Sequence, residues 1–185
     1  MKTWITSDLH FGHSNILKFC PKTRGHFRDV EHMNSEMIRL WNKSVQHEDK
    51  VYILGDVAFT NAERAAAIML SLNGTKILVQ GNHDSKLVKD LRFSNCFAEI
   101  HDYLRLVYNK TTLVIMFHYP IYEWDQMHRG SIHLHGHLHG NHNGMPGSRA
   151  LDVGYDATGN VVSLMDDMIN QAMKGAIRPH HQQGI

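Results

Sequence analysis

Two short apolar runs, Val51-Tyr52-Ile53-Leu54 and Lys76 to Gln80, each end on a glycine followed by polar residues, Gly55-Asp56 and Gly81-Asn82-His83-Asp84. Unbroken apolarity over so few positions describes strands buried on both faces. Between them Asn61 is placed to cap a helix of about 62–72, and Asn73-Gly74 stops it. Strand, helix and strand at this spacing build βαβ units, hence an α/β chain with a mostly parallel sheet. Ligands of such sheets gather at the carboxyl ends of the strands, where these polar clusters stand.

The flanking segments fill in the plan. A short strand is predicted at about 2–7. The polar, basic and aromatic stretch from Asn15 to Arg28 reads as irregular. Val30, Met33, Met37, Ile38, Trp41 and Val45 recur at helical spacing, so a helix over about 31–46 presents one apolar face. From Phe97 the pattern changes to successive strand-like runs: Phe97–Tyr108, Thr111–His118, Ser131–His137, Arg149–Asp156 and Val161–Leu164. Asn109-Lys110 has the character of a tight hairpin turn. An amphipathic helix at about 165–174 ends a single domain over 1–175, and 176–185 reads as a flexible tail whose His180-His181 is too short for a metal site.

Length and charge narrow the function classes. A chain of 185 residues is one domain's worth and buries a core without disulfides. With 19 basic and 18 acidic residues, a formal net charge of +1, no overall field draws it to duplex DNA or an anionic membrane. No segment approaches the ~20 apolar residues needed to span a bilayer, and no secretory signal opens the chain. Cys20 and Cys96 lie far apart with no CxxC, which excludes a disulfide framework and a zinc–thiolate site and fits a cytoplasmic location. The outlier is histidine, at 16 residues the commonest kind of metal ligand.

Five clusters follow apolar runs: Asp8-x-His10, Gly55-Asp56, Gly81-Asn82-His83-Asp84, His118 and Gly136-His137-x-His139. Carboxylate, amide and imidazole donors without thiolates suit Mn, Fe, Co, Ni or Zn. In this order, across residues 8 to 139, the clusters resemble the calcineurin-like metallophosphoesterase superfamily, whose pattern is D-x-H, G-D, G-N-H-D/E, H, G-H-x-H. Asp8-Leu9-His10-Phe11-Gly12-His13, with Trp41-Asn42 ahead of Leu54-Gly55-Asp56, resembles its small bacterial and phage-type members. The resemblance implies a four-layer α/β/β/α sandwich with two mixed β-sheets and two divalent transition-metal ions, manganese foremost. It implies that Asp8, His10 and His139 hold one ion, that Asn82, His118 and His137 hold the other, and that Asp56 bridges them. His83 becomes the group beside the leaving oxygen, and Asp84 the residue that orients it. The activity implied is hydrolysis of a phosphate ester by a hydroxide shared between the ions. A phosphodiesterase acting on nucleotide-type diesters or nucleic-acid ends comes first, a phosphomonoesterase acting on a metabolite or phosphoprotein second, and a non-catalytic scaffold third.

Further residues have two readings each. His13 either orients a ligand or touches substrate. Lys18, Lys22, Arg24, His26 and Arg28, interleaved with Phe19 and Phe27, either grip a substrate phosphate and stack a base or form a solvated loop; Arg24 and His26 are the candidate substrate contacts. Tyr119, Tyr122 and Trp124 either offer a stacking platform or pack at the rim. His133 and His135 share a strand face with His137 and read as support or packing.

Overall fold

The buried runs pair in parallel. In a computed structural model, which describes residues 1–141 and 147–178, β1 (Thr3–Thr6), β2 (Lys50–Ile53) and β3 (Thr75–Val79) lie side by side, Thr3 opposite Lys50 and Lys50 opposite Thr75. β4 (Glu99–His101) extends this sheet in parallel, and β9 (Ser163–Leu164) closes the other edge antiparallel to β1, giving the order β4-β3-β2-β1-β9. The second sheet has the order β5-β6-β7-β8, from β5 (Leu104–Tyr108), β6 (Thr112–Met116), β7 (Ile132–His135) and β8 (Ala150–Asp152). β5 and β6 form an antiparallel hairpin, and the rest pair in parallel. Asn109 and Lys110 both have positive φ, 47° and 65°, as a two-residue primed turn requires. Both sheets are therefore mixed.

Alternation along the first sheet divides the core. Trp4, Val51, Ile53 and Leu78 face outward into a cluster with α3 (Val30–Ser44) and α4 (Ala62–Ser71), which supply Met33, Met37, Trp41, Ala65 and Met69. Ile5, Tyr52, Ile77 and Val79 face inward, where they meet Val114, Met116, Ile132 and Leu134 of the second sheet and Met165, Met168 and Ile169 of α7 (Met165–Ala172). The outer face of the second sheet is covered by the segment 119–131, whose Trp124 packs with Ile115 and Ala150. Asp29 caps α3 by accepting from His32 N at 2.8 Å, and Asn61 caps α4 by accepting from Arg64 N at 2.9 Å. Trp41 and Asn42 form a clasp: the fully buried indole donates to Asn73 O at 3.0 Å, while the Asn42 amide bonds Ser71 O and Asn73 N at 2.8 Å each. Truncating so well buried a tryptophan costs about 3–5 kcal/mol.

Three segments depart from the sequence expectation. The run Phe97–Tyr108 is two strands in different sheets, β4 and β5, and the chain crosses between them at Asp102, whose carboxylate accepts from the Gln80 amide at 2.9 Å. The stretch Asn15–Arg28 contains two single-turn helices, α1 (Ile16–Phe19) and α2 (Pro21–Arg24), the second begun by proline at its first position. Beyond β8 the run Arg149–Asp156 turns into the short helix α6 (Tyr155–Thr158), and α5 (Leu91–Ser94) lies between β3 and β4. Ala176 bridges to Ser148 and its N–H donates to Gly147 O at 2.6 Å, so the fold continues past 175. His180 and His181 lie outside the described residues. Among the described residues no helix is long and apolar enough to cross a membrane.

Candidate metal centre

The loops after β1 and β2 run on as a paired ribbon. Asp8 N donates to Gly55 O and His10 N to Asp56 O, each at 3.0 Å, which sets Asp8, His10 and Asp56 beside one another. All three residues have left-handed backbone, φ 55°, 52° and 53°, and so do His137 and His139 at 70° and 50°. A side chain there costs roughly 1–2 kcal/mol per residue. Only three other described non-glycine residues share the conformation, two of them in the hairpin turn, so strain is concentrated where chemistry would be expected.

Glycine permits the closest approaches. A Cβ at Gly81 would stand 2.3 Å from Asp56 Oδ1, and one at Gly136 would stand 2.4 Å from Asp8 Oδ2. Asp84 locks the same region from beneath. It is fully buried and its oxygens accept from Asp56 N at 2.9 Å, Val57 N at 3.0 Å and Gly81 N at 2.8 Å. Burial raises its carboxyl pKa, against the pull of these donors. Its position corrects the expectation that it orients His83: it holds the backbone of both acid loops, and His83 N donates to Asp56 Oδ1 at 3.0 Å.

The seven clustered residues converge. Asp56 Oδ2 lies 3.7 Å from His10 Nε2, and Asp56 Oδ1 lies 3.7 Å from His118 Nε2, so its two oxygens face different imidazoles. Asp8 Oδ1 lies 4.0 Å from His10 Nε2 and 3.9 Å from His139 Nε2. On the other side Asn82 Oδ1 is 3.0 Å from His118 Nε2, and the rings of His118 and His137 are 5.1 Å apart. Ligand atoms of Asp8, His10 and His139, and of Asp8, Asp56 and His118, form groups within 4.8 Å. Asp8 Oδ1 and His10 Nε2 are buried without any hydrogen-bond partner. Two such orphaned atoms aimed at each other fit a shared cation, and the mixed oxygen and nitrogen donors fit a divalent transition metal.

Two of the imidazoles are aimed by their other nitrogen. His118 Nδ1 donates to Leu54 O at 2.7 Å, leaving its Nε2 lone pair toward Asp56. His139 Nδ1 meets Asp156 Oδ2 at 2.7 Å, which turns Nε2 toward Asp8. Asp156 is the residue that sequence reasoning missed. Burial pushes His10 down to about 2, so its ring is neutral and its lone pair free. Burial lowers His137 as well. Burial alone would lower His139, but the Asp156 hydrogen bond and the Asp8 charge outweigh it and raise it. Asp8 is raised to about 6 by burial. Cys20 Sγ also comes within 3.8 Å of His139 Nδ1, and burial pushes this thiol up to about 11.

Arg24 takes a different part from the one expected. Its guanidinium is fully buried and donates to Asp156 through Nε at 2.9 Å and Nη2 at 2.8 Å, to Asp8 O at 2.6 Å and to Leu9 O at 3.0 Å. Those bonds, with a Thr23 hydroxyl also donating to Asp156, make it a brace under the site with no donor turned to a substrate. His26 is exposed against Phe27, ring centroids 3.9 Å apart, and lines neither cavity beside the clustered acids. His13 does line the site. Its ring stacks on Phe59 at 4.0 Å and 11°, with Phe19 edge-on at 6.0 Å, and its Nδ1 lies 3.3 Å from His10 Nδ1. His83, with 44 % of its side chain exposed, packs on the same Phe59 at 4.3 Å and holds Nε2 3.9 Å from Asp56 Oδ2. These rings wall a cavity of about 410 Å³. Tyr119 stands 4.7 Å from the His137 ring, Trp124 is buried, and His133 bonds backbone atoms of Ile115, Tyr119 and Ile121.

Residues 1–114 match the family described as calcineurin-like phosphoesterase. An uncharacterized protein of Methanocaldococcus jannaschii is 34% identical over 143 residues, 76% of this chain and 71% of that one. The Gene 66 protein of Mycobacterium phage D29 is 28% identical over 200 residues, 93% of this chain and 98% of that one. The crystal structure of a protein of unknown function from Aquifex aeolicus has the same fold, with a TM-score of 0.69 and 24% identity over 92% of this chain and 98% of that one.

Proposed function

Since the chain belongs to the calcineurin-like phosphoesterase family and is thereby a metal-dependent phosphoric ester hydrolase, we propose that it is a phosphodiesterase acting on nucleotide-type diesters. Asp8, His10 and His139 hold one divalent transition metal, Asn82, His118 and His137 the other, and Asp56 is shared; Mn²⁺ is the first ion to test. When bound, the pair supplies an activated water and neutralises charge building on the phosphoryl oxygens. The free cysteines Cys20 and Cys96 fit work in a reducing cytoplasm.

One observation carries the diesterase reading. His83 reaches 3.9 Å from Asp56 while nearly half exposed, at the junction of the acid cluster and an aromatic wall made of Phe59, His13 and an exposed Phe19. Cleavage of one P–O bond of an alkyl diester expels an alkoxide, which needs a proton, and the half-exposed imidazole is placed to supply it. Phe59 packs against the ring, and the backbone bond from His83 N to Asp56 Oδ1 holds the residue beside Asp56. The aromatic wall suits the planar base of a nucleotide. Asp84 holds the two acid loops in register, and Asp156 with Arg24 holds the His139 loop.

The test compares bis-p-nitrophenyl phosphate with p-nitrophenyl phosphate on Mn²⁺-loaded protein. Preference for the diester is expected, and preference for the monoester overturns the reading. His83→Ala keeps its metal content and loses roughly 10²–10⁴ in rate on a dinucleoside phosphate, with a smaller loss on the nitrophenyl diester. Equal losses on the two remove the acid role.

A further inference from the structure

A second cavity, about 350 Å³, adjoins the first and shares Phe59, Asn82 and His83 with it. Its other walls differ in chemistry. Where the first cavity has His13, Ile16, Phe19 and Cys20, the second has Thr60, Ser85 and Lys86. Among the described residues the side chains of Thr60, Ser85 and Lys86 enter no hydrogen bond or ion pair. The acids nearest Lys86 along the chain are already engaged, Asp84 by three backbone N–H groups and Asp90 by the Arg92 guanidinium at 2.7 Å. One ammonium and two hydroxyls without protein partners therefore face a cavity bounded by the leaving-group side of the site.

We propose that this second cavity is an anion subsite, in which Lys86, Ser85 and Thr60 bind a further phosphate carried on the departing arm of the diester. The inference rests on the diesterase reading and sharpens it: the preferred substrate has a base-bearing arm against Phe19, His13 and Phe59 and a phosphorylated nucleoside as its leaving arm. Position supports this division. His83, beside which the departing group must lie, is shared by the two cavities, and only the first also holds His10, Asp56, His137 and His139, so an arm that reaches past His83 away from these residues enters the second. The cavity's size lies within the range of small-molecule sites, about 300–1,000 Å³. Lysine is a point-charge phosphate binder and needs only approach, while hydroxyls supply direction.

Two measurements test it on the full chain. The first is steady-state cleavage, with Mn²⁺ supplied, of thymidylyl-thymidine bare, with an added 5′ phosphate and with an added 3′ phosphate. Whichever arm departs, one of the two phosphorylated forms carries its phosphate there. That form is expected to show a KM roughly tenfold below the bare dinucleotide, with kcat little altered. Lys86→Ala brings the KM ratio near one, Lys86→Arg restores most of it, and Lys89→Ala, on the same exposed stretch outside the cavity, retains it. A ratio near one in the wild type, or a ratio kept by Lys86→Ala, overturns the subsite. The second measurement is equilibrium binding of thymidine 3′,5′-bisphosphate against thymidine 5′-phosphate, which needs no turnover. Loss of the bisphosphate advantage in Lys86→Ala is expected, and equal binding by wild type and variant overturns the subsite. Absence of diester cleavage together with a Lys86-dependent bisphosphate advantage sinks the diesterase reading and leaves the subsite standing.

Discussion

The two sheets bring their polar groups to the centre by different means. On the first sheet the loops after β1, β2 and β3 are tied by backbone: paired N–H and C=O groups join the Asp8 and Asp56 loops, and Asp84 collects three N–H groups from the Asp56 and Gly81 loops. On the second sheet His118 and His139 are aimed by single side-chain bonds, to Leu54 O and to Asp156, and Asp156 is itself held by Arg24. A backbone ribbon spreads its constraint over many bonds, whereas a side-chain relay fails at its weakest member. The acids should therefore stay in place under substitutions that let an imidazole swing free.

The hardest blow to the relay is Arg24→Met. It leaves Asp156 buried without its counter-charge, and removing one partner of a buried pair costs about 3–5 kcal/mol, read as a lowered urea midpoint at unchanged slope. A change below about 1 kcal/mol would mean that water replaces the guanidinium. Gly81→Ala strikes the ribbon. Its Cβ would meet Asp56 Oδ1 at 2.3 Å, so about 1–3 kcal/mol of stability is lost and metal analysis finds fewer than two ions per chain. Two retained ions would contradict the shared Asp56. Asp156→Asn separates the halves most cleanly. It removes the carboxylate that aims His139, so one of two ions should weaken by roughly 10- to 100-fold in a metal titration while the other keeps its affinity. Weakening of both alike would erase the distinction between relay and ribbon.

Acidification gives a gentler separation. Burial holds His10 and His137 below their ordinary range, so their lone pairs stay available well below neutrality. Asp8, raised to about 6 by burial, and His139, raised by Asp156 and Asp8 against its burial, take up protons first as pH falls. Metal affinity should accordingly decline from about neutrality down through pH 6, and first at the Asp8–His10–His139 position, as followed by Mn²⁺ electron paramagnetic resonance. Simultaneous loss at both positions would show that a group common to the two governs instead.

The same contrast explains what could be read from sequence. The ribbon was legible because its residues sit next to the runs that form β1, β2 and β3, so Asp8, Asp56 and Asn82 announce themselves by following apolar stretches. The relay was not. Asp156 lies 132 residues from Arg24, and no periodicity links them, so the arginine read as a candidate substrate contact or part of a solvated loop while its partner vanished into a strand. An acid just past a short buried strand was the available signal. Asp84 was found but given the wrong duty, because spacing places it beside His83 while the three N–H groups it serves come from the turn of one neighbouring strand and the start of its own. The split of 97–108 into β4 and β5 was equally invisible, since alternation does not record which sheet a strand joins.

The left-handed conformation of Asp8, His10, Asp56, His137 and His139 has a bearing on how such a centre can be engineered. Selecting variants for thermal robustness alone would pull these positions toward glycine, which the main chain prefers there, against the few hydrogen bonds their side chains make, such as those Asp56 and Asp8 accept from His83 N and His137 N. Robust and inert should thus arrive together, and a screen for improved catalysts has to hold these five codons constant and look for gains elsewhere.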